Sequence, residues 1–487
     1  MKQLKRLSIL ILLANSFLCV FNANQLHAQE LKQEIDFYLK KTIAHHQIPG
    51  LALAVVQDDG ILFEAYYGKA SLEENVPVDK NTLFRIFSAT KLITTTGVFQ
   101  LIENGALRLD DTLATYLDDL PEAWQKIKIK NLLSHSSGLP DILKYESTLS
   151  DEDLMAKLFD DNMEFETGYQ FRYNQTNYWL LAQIIEKITG ATFEGFILKN
   201  QFAGGNEGVL FSSNSQEVLP NRATRYFYEG KSKGFVKATD NNGARGHSGN
   251  GLNLTLDEFI KWDGKLKKTL LLDEQTKSKM WSPFEYTNDF KYQKEDFLHG
   301  WGSYPINAQK SFGFSGGNLA AYRFFPESNT SIILLSNGYV TPAYDIIVND
   351  IARLTLPKLR AQGATLEYNV LGLIEKEEFD EALQTFKKLK RENPKFRFEN
   401  LKWNINAIGN SFVWNDDFEK AMKIFELNAA ANPDWWVAFA ALGEVYEARK
   451  DSLNAIKCYK KAITFNEKNE GYYNEELTNL IRGLQTK

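Results

Sequence analysis

Two apolar runs near the N-terminal end, LALAVVQ at residues 51–57 and ILFEAYYG at 61–68, read as strands, with Asp58-Asp59-Gly60 between them. An Asp-Gly turn between apolar runs predicts a β-hairpin, because glycine and aspartate tolerate the backbone twist of a tight turn. Ahead of the hairpin, residues 30–47 carry apolar positions at helical spacing and stop before Pro49-Gly50. A helix is predicted from Ser88 to about Gly105, and a long, mainly helical region follows to about residue 285. Strand character returns in SFGFSGGNLAAYRFF and TSIILLSNG, which flank Pro326-Glu327-Ser328-Asn329 as a second hairpin. A last helix runs from about Pro342 to Leu356. Strands at both ends of a helical middle predict an α/β fold: one antiparallel sheet flanked by helices, with a helical insertion beside it.

Beyond Pro357 the strand signals stop and a repeat begins. Asp417-Phe418 with Ala421, Phe425, Asn432 and Pro433 recurs 34 residues later as Asp451-Ser452 with Ala455, Tyr459 and Asn466. Gly409 and Phe412 map in the same way onto Gly443 and Tyr446. A weaker copy, displaced by 39 residues, carries Phe379, Ala382, Phe386, Asn393 and Pro394. A period of 34 with small residues where paired helices touch resembles tetratricopeptide repeats, and predicts an all-α region over 365–487. The plainer reading is a helical bundle without a repeat. The conspicuous pair Trp435-Trp436 reads as packing between helices, with peptide binding as the alternative.

Composition narrows the classes. At 487 residues, 44% hydrophobic and 24% charged, the chain has room for two or three packed domains. A net charge of −6 without a Lys/Arg run offers no electrostatic footprint for nucleic acid. Lys2, Lys5 and Arg6 precede the apolar LSILILLANSFLCVF and then NANQLHAQE. That order is a secretory signal over residues 1–28, with cleavage after Ala28. An uncleaved anchor is the competing reading, disfavoured by Asn15 and Ser16 in a short apolar stretch. Cys19 raises a lipoprotein reading, but Ser16-Phe17-Leu18 is too bulky before it. The expectation is an exported protein, periplasmic or extracellular, with no stable membrane span once the signal is removed. Cys458 is then the remaining cysteine, and the scattered histidines form no ligand pair, so neither disulfide, metal nor other cofactor is expected.

The chemistry concentrates in FRIFSATKLITTT, residues 84–96. Ser88 and Lys91 are three apart, so on a helix they share a face. A serine hydroxyl is a weak nucleophile until a base takes its proton. An apolar pocket disfavours an ammonium, which leaves a neutral lysine amine able to do so. The N–H groups of a helix start point at whatever the hydroxyl attacks. The bland alternative is an N-capping serine on a solvated helix.

Four ordered segments decide between them. TLFRIFSATKLITTTGVFQLIENGALRLDDTLATYL, NLLSHSSGLPD, FRYNQTNYWLLAQIIEKITG and SGNGLNLTLDEFIKW together resemble the serine β-lactamase and penicillin-binding protein superfamily, in its class C β-lactamase, D,D-carboxypeptidase and esterase branch. The resemblance covers about residues 30–356, so a hydrolase domain is expected over 29–357. It implies Ser88 as acylated nucleophile, Lys91 as its proton acceptor, and Tyr173 as the phenol that shuttles protons to the leaving group. A nearby ammonium would favour the Tyr173 phenolate. Gln175 stands where that family has asparagine in Tyr-x-Asn; it keeps the amide and adds a methylene. Phe314-Ser315-Gly316 stands where that family has Lys or His, any residue, then Gly, so the carboxylate-holding cation is missing and that wall becomes apolar. Gly317 falls on the second oxyanion donor, beside the Ser88 N–H. Plain packing of Tyr173, and strand curvature at the glycine pair, are the non-catalytic readings. His135 is structural in that family, and His247 reads as a loop histidine ahead of substrate recognition.

The resulting expectation is an exported serine hydrolase working through a Ser88 acyl-enzyme on an ester or amide of a small molecule or peptide. Weak or no β-lactamase activity follows from the missing cation. The alternative is a degenerate member acting as a protein- or peptide-binding module through its repeats. In either case the repeats offer a surface for a protein partner or for self-association.

Overall fold

The computed structural model describes residues 28–205, 207–287, 297–307, 309–342, 344–362, 366–394, 398–466 and 471–485. The secretory-signal reading, but for Ala28, lies outside them. The chain divides into two compact units, the first comprising residues up to Arg225, Ala238–Gly338 and Ala343–Arg360. The second comprises Tyr226–Lys237, Tyr339–Pro342 and Ala361–Lys487.

The first unit is organised on a seven-stranded sheet. Its strands are β1 (Gly50–Gln57), β2 (Gly60–Ser71), β3 (Val76–Pro77), β9 (Gly302–Ser303), β10 (Phe312–Gly316), β11 (Ala320–Phe325) and β12 (Thr330–Ser336), in the order β3-β2-β1-β12-β11-β10-β9. Every neighbouring pair is antiparallel. The two ends of the sequence thus meet at β1–β12, where Leu51 opposes Ser336 and Gln57 opposes Thr330. The β1–β2 turn is the one expected, with Asp58 in the left-handed region at φ 51°. Strands β11 and β12 are buried along their whole length, because the middle of the sheet is covered on both faces. Ala52, Ala54, Val56, Ile333 and Leu335 join the main core with the helical insertion. The helix Tyr344–Thr355 packs on β11 and β12. The helix over 28–46 is tied down by Tyr38, whose hydroxyl donates to Asp350 at 2.8 Å.

Two differences from the sequence expectation matter for the site. The stretch 311–325 is not one strand but the hairpin β10–β11, turning at Gly317, Asn318 and Leu319. The helical middle also contains short strands. β4 (Phe84–Arg85), β5 (Val209–Phe211) and β8 (Leu252–Leu254) form a small sheet in the order β4-β8-β5. β6 (Tyr226–Tyr228) and β7 (Phe235–Lys237) form a separate hairpin. Strands of two or three residues leave no periodic trace in sequence.

Among the described residues of the second unit, seven helices follow one another: Leu366–Glu375, Phe379–Glu392, Glu399–Trp414, Phe418–Ala431, Trp436–Ala448, Ser452–Asn466 and Gly471–Gln485. One glycine–aromatic contact recurs at the spacing read from the sequence. A Cβ on Gly409 would strike the Phe425 ring, and one on Gly443 would strike the Tyr459 ring, so the same contact recurs 34 residues on. The β6–β7 hairpin belongs to this unit: Gly230 sits so close to the Trp414 carbonyl that a Cβ would press on it at 2.7 Å. Gly443→Ala should therefore destabilise the second unit by about 1–3 kcal/mol through overpacking against Tyr459. Denaturant unfolding would check this, and an unchanged midpoint would exclude the close approach.

Candidate active site

Strand β4 pairs with β8 (Phe84 opposite Leu254) and delivers the chain to Phe87, whose φ is +48°. A bulky residue in the left-handed region costs about 1–3 kcal/mol and persists where the surroundings dictate it. Here the Phe87 ring lies under the guanidinium groups of Arg85 and Arg225, at 4.6 and 4.5 Å. Phe87–Ala89 then makes a 3₁₀ turn that runs into the helix Thr90–Glu103. Ser88 sits half-buried on that turn, just ahead of the α-helix.

Lys91 is completely buried. Its Nζ donates to the Gly249 carbonyl at 2.8 Å and to Gln175 Oε1 at 3.0 Å. It also lies over the rings of Tyr173 at 4.8 Å and Tyr178 at 5.0 Å. Burial pulls its pKa down from the usual lysine range to about 7, opposed by the charge of Asp141. The amine is therefore about half neutral at neutral pH.

Tyr173 opens its edge to solvent, being 37% exposed, so the site has a mouth. Its phenol is nonetheless held well above the usual tyrosine range, first by burial, with the Ser88 hydroxyl and Gln175 amide beside it pulling the other way. The expected phenolate is not what this environment favours, because burial is the largest influence on the phenol and penalises its charged form. Tyr173 is a neutral phenol, a proton donor. Phe314 stacks on it, ring centroids 6.2 Å apart and planes within 14°, making the apolar wall expected from the third motif.

The β10 strand closes the other side. A Cβ on Gly316 would collide with the Ile86 carbonyl and come within 2.8 Å of the Ser88 and Ala89 nitrogens. Only a bare Cα lets the strand approach the nucleophile turn so closely. Gly317 follows at φ 58°, resting on the Phe87 ring. The Ser315 hydroxyl accepts a hydrogen bond from Arg323 Nη2 at 2.8 Å, which leaves its own O–H to donate elsewhere. Arg323 is a cation that motif reading passed over; the strand register, with Arg323 opposite Gly313, is the signal that points to it. It is 2% exposed, paired with Asp345 at 2.8 Å, and covered by the Tyr304 ring at 3.5 Å. That charge is already matched by Asp345.

Ser88, Lys91, Tyr173, Gln175, Phe314, Ser315, Gly316 and Gly317 are thus gathered around the Phe87–Ala89 turn. Of the supporting groups, sequence reasoning named His135 as structural and missed Asp141. Asp141 accepts from the Gln175 N–H at 3.2 Å, and burial raises its pKa. His135 is fully buried, and burial and the Lys91 charge keep its imidazole neutral. Its Nδ1 accepts from the Asn174 N–H at 3.2 Å, so it shapes the Tyr173–Gln175 segment. His247 is occupied with Glu194 at 2.6 Å. Among the described residues no group of three or more His, Cys, Asp or Glu could hold a metal ion.

A beta-lactamase family model matches residues 33–356. The chain belongs to the beta-lactamase family. A penicillin-binding protein of Bacillus subtilis (strain 168) is 28% identical over 324 residues, spanning 62% of this chain and 70% of the relative. D-amino acid amidase from Ochrobactrum anthropi SV3, solved with D-phenylalanine, superposes with a TM-score of 0.56 at 19% identity, covering 67% of this chain and 98% of the amidase. EstCE1, a hydrolase with promiscuous acyltransferase activity, superposes at 0.57 and 19% identity, covering 67% of this chain and 99% of its own. This beta-lactamase family fold is that of serine hydrolases. The site geometry predicts an acylation rate that is low while Lys91 is an ammonium and rises as pH passes through about 7. Lys91→Met should remove that limb and ~10²–10⁴ of the rate, the range for a general base. Stopped-flow acylation across pH 5 to 9 would check both, and a flat profile would count against Lys91.

Proposed function

We propose that the protein is an exported serine hydrolase that acylates Ser88 with an ester or a neutral amide, in the class C β-lactamase, D,D-carboxypeptidase and esterase branch. One observation carries this reading: a fully buried amine, one turn beyond a half-buried serine, held by two acceptors and poised near pH 7. Lys91 takes the Ser88 proton as the hydroxyl attacks the carbonyl carbon. The Ser88 and Gly317 N–H groups receive the oxyanion, and Tyr173, a neutral phenol, hands a proton to the leaving group. Water then releases the acyl group by the reverse transfers. No cofactor enters this chemistry.

The substrate class follows from the wall opposite the nucleophile. Phe314 stacked on Tyr173 offers no charge, and Arg323 is already matched by Asp345, which disfavours a free carboxylate next to the scissile bond. Esterase or D,D-peptidase-like activity on uncharged acyl groups fits best, with weak or no β-lactamase activity. The helices beyond Leu366, with their recurring glycine–aromatic contact, support a tetratricopeptide-like region that offers a protein partner or a second copy a surface. A degenerate site serving only binding through those repeats is the competing reading, which Gln175 and Phe314 favour as departures from the family pattern.

Intact-protein mass after brief exposure to activated esters and to a penicillin separates these readings. A Ser88-dependent ester adduct that turns over, absent in Ser88→Ala, is expected, with little penicillin adduct. Phe314→Lys should raise penicillin acylation by about tenfold, the worth of one charge-assisted contact near 1.4 kcal/mol. A stable penicillin adduct on the native protein would overturn the substrate argument. No adduct from folded protein would favour the binding module.

A further inference from the structure

The longer amide at position 175 has a counterpart. Gln175 carries one methylene more than asparagine, yet its Oε1 reaches Lys91 Nζ at an ordinary 3.0 Å. Room for it exists at one place. A Cβ built on Gly249 would stand 2.7 Å from Gln175 Oε1, 3.3 Å from Lys91 Nζ and 3.8 Å from Tyr178 Cβ. The first of these is closer than real Cβ contacts, so any larger residue at 249 must displace the amide oxygen or be displaced by it. The Gly249 carbonyl is at the same time the second acceptor of Lys91, at 2.8 Å. The Gly249 backbone is not free to back away. The turn His247–Asn250 is fastened to the nucleophile helix by Thr94, whose hydroxyl donates to the Ser248 carbonyl at 2.7 Å. Leu252 N–H is likewise bonded to Thr90 Oγ1 at 3.2 Å. Gln175 is anchored from the other side, its N–H on Asp141 at 3.2 Å. With both backbones held, side-chain size at 175 and 249 must be matched.

We infer that Gly249 is a positioning residue, and that Gln175 and Gly249 act as a size-matched pair that fixes the Lys91 amine against Ser88. The inference rests on the reading of Lys91 as the base. Gly249→Ala would push Oε1 off the amine, and a misplacement near 1 Å costs on the order of 10²-fold in rate. It would also change the titration. An acceptor oxygen favours the ammonium, so its loss lowers the lysine pKa, and the acid limb of the acylation profile should move to lower pH. A glycine needed only for folding would lower thermal stability and leave that limb in place.

The test is a double-mutant cycle on the full-length protein, with an activated ester as probe. Acylation rate against pH and thermal melting are measured for wild type, Gly249→Ala, Gln175→Asn and the double variant. Each single change should slow acylation, Gln175→Asn because the shorter amide falls short of Nζ across the gap at Gly249. In the double variant the shorter amide leaves room for the added Cβ, so Gly249→Ala should cost less than about threefold in the Gln175→Asn background against on the order of 10²-fold in wild type. If Gly249→Ala cannot be isolated folded, the comparison of Gln175→Asn with the double variant decides alone. Additive losses, or a Gly249→Ala profile that matches wild type in rate and limb, would overturn the pairing. Wild-type protein that is never acylated would overturn the hydrolase reading itself, and acylation as fast in Lys91→Ala would overturn the lysine's role. Both differ from an additive cycle in an active enzyme.

Discussion

A lysine amine buried one turn beyond a serine hydroxyl is the constraint on which the first unit depends. An isolated ammonium is costly to remove from water, so a fold that buries one must either pair it or favour its neutral form. Here no carboxylate touches Lys91 among the described hydrogen bonds and ion pairs. Two neutral acceptors and two tyrosine rings surround it instead. That arrangement orients the amine without neutralising it by charge, and leaves it poised near pH 7. Burial likewise keeps Tyr173 a phenol.

The larger architecture serves that placement. Strand β10 is paired with β11 and ends at Gly316, which with Gly317 lies against the Ile86–Ala89 stretch. The small sheet β4-β8-β5 anchors that turn from behind and brings the Gly249 carbonyl to the amine. Phe87 in the left-handed region is the joint between β4 and the nucleophile helix. Arg85, Arg225 and Gly317 fill the space around its ring, which is how the surroundings dictate a conformation the residue alone would avoid.

Much of this was legible in the sequence, and the rest was hidden for identifiable reasons. The Asp58-Asp59-Gly60 turn and the β1–β2 hairpin follow from local turn chemistry. The spacing of Gly409, Gly443, Phe425 and Tyr459 was legible too, and the glycine–aromatic contact recurs at that spacing. The proximity of Ser88, Lys91, Tyr173, Gln175 and the Phe314–Gly317 run was legible through ordered motifs. Strands of two or three residues were not, because they complete no period. Nor was the break of 311–325 at Gly317, where an unbroken apolar run conceals a turn. Gly249 and Arg323 act through a carbonyl and through a strand register, and neither leaves a mark in residue type. The ionisation of Tyr173 depends on how far its own phenol is buried, which only packing decides.

Direct titration of the Lys91 ε-amine tests the central claim most closely. Lysine ε-carbons labelled with ¹³C, with the Lys91 resonance assigned by its loss in Lys91→Met, would be followed by NMR across pH 5 to 11. A midpoint near 7, with the other lysines titrating in the ordinary range, is the predicted result. A midpoint above 10 would mean that the amine keeps its proton at neutral pH and cannot serve as the base for Ser88.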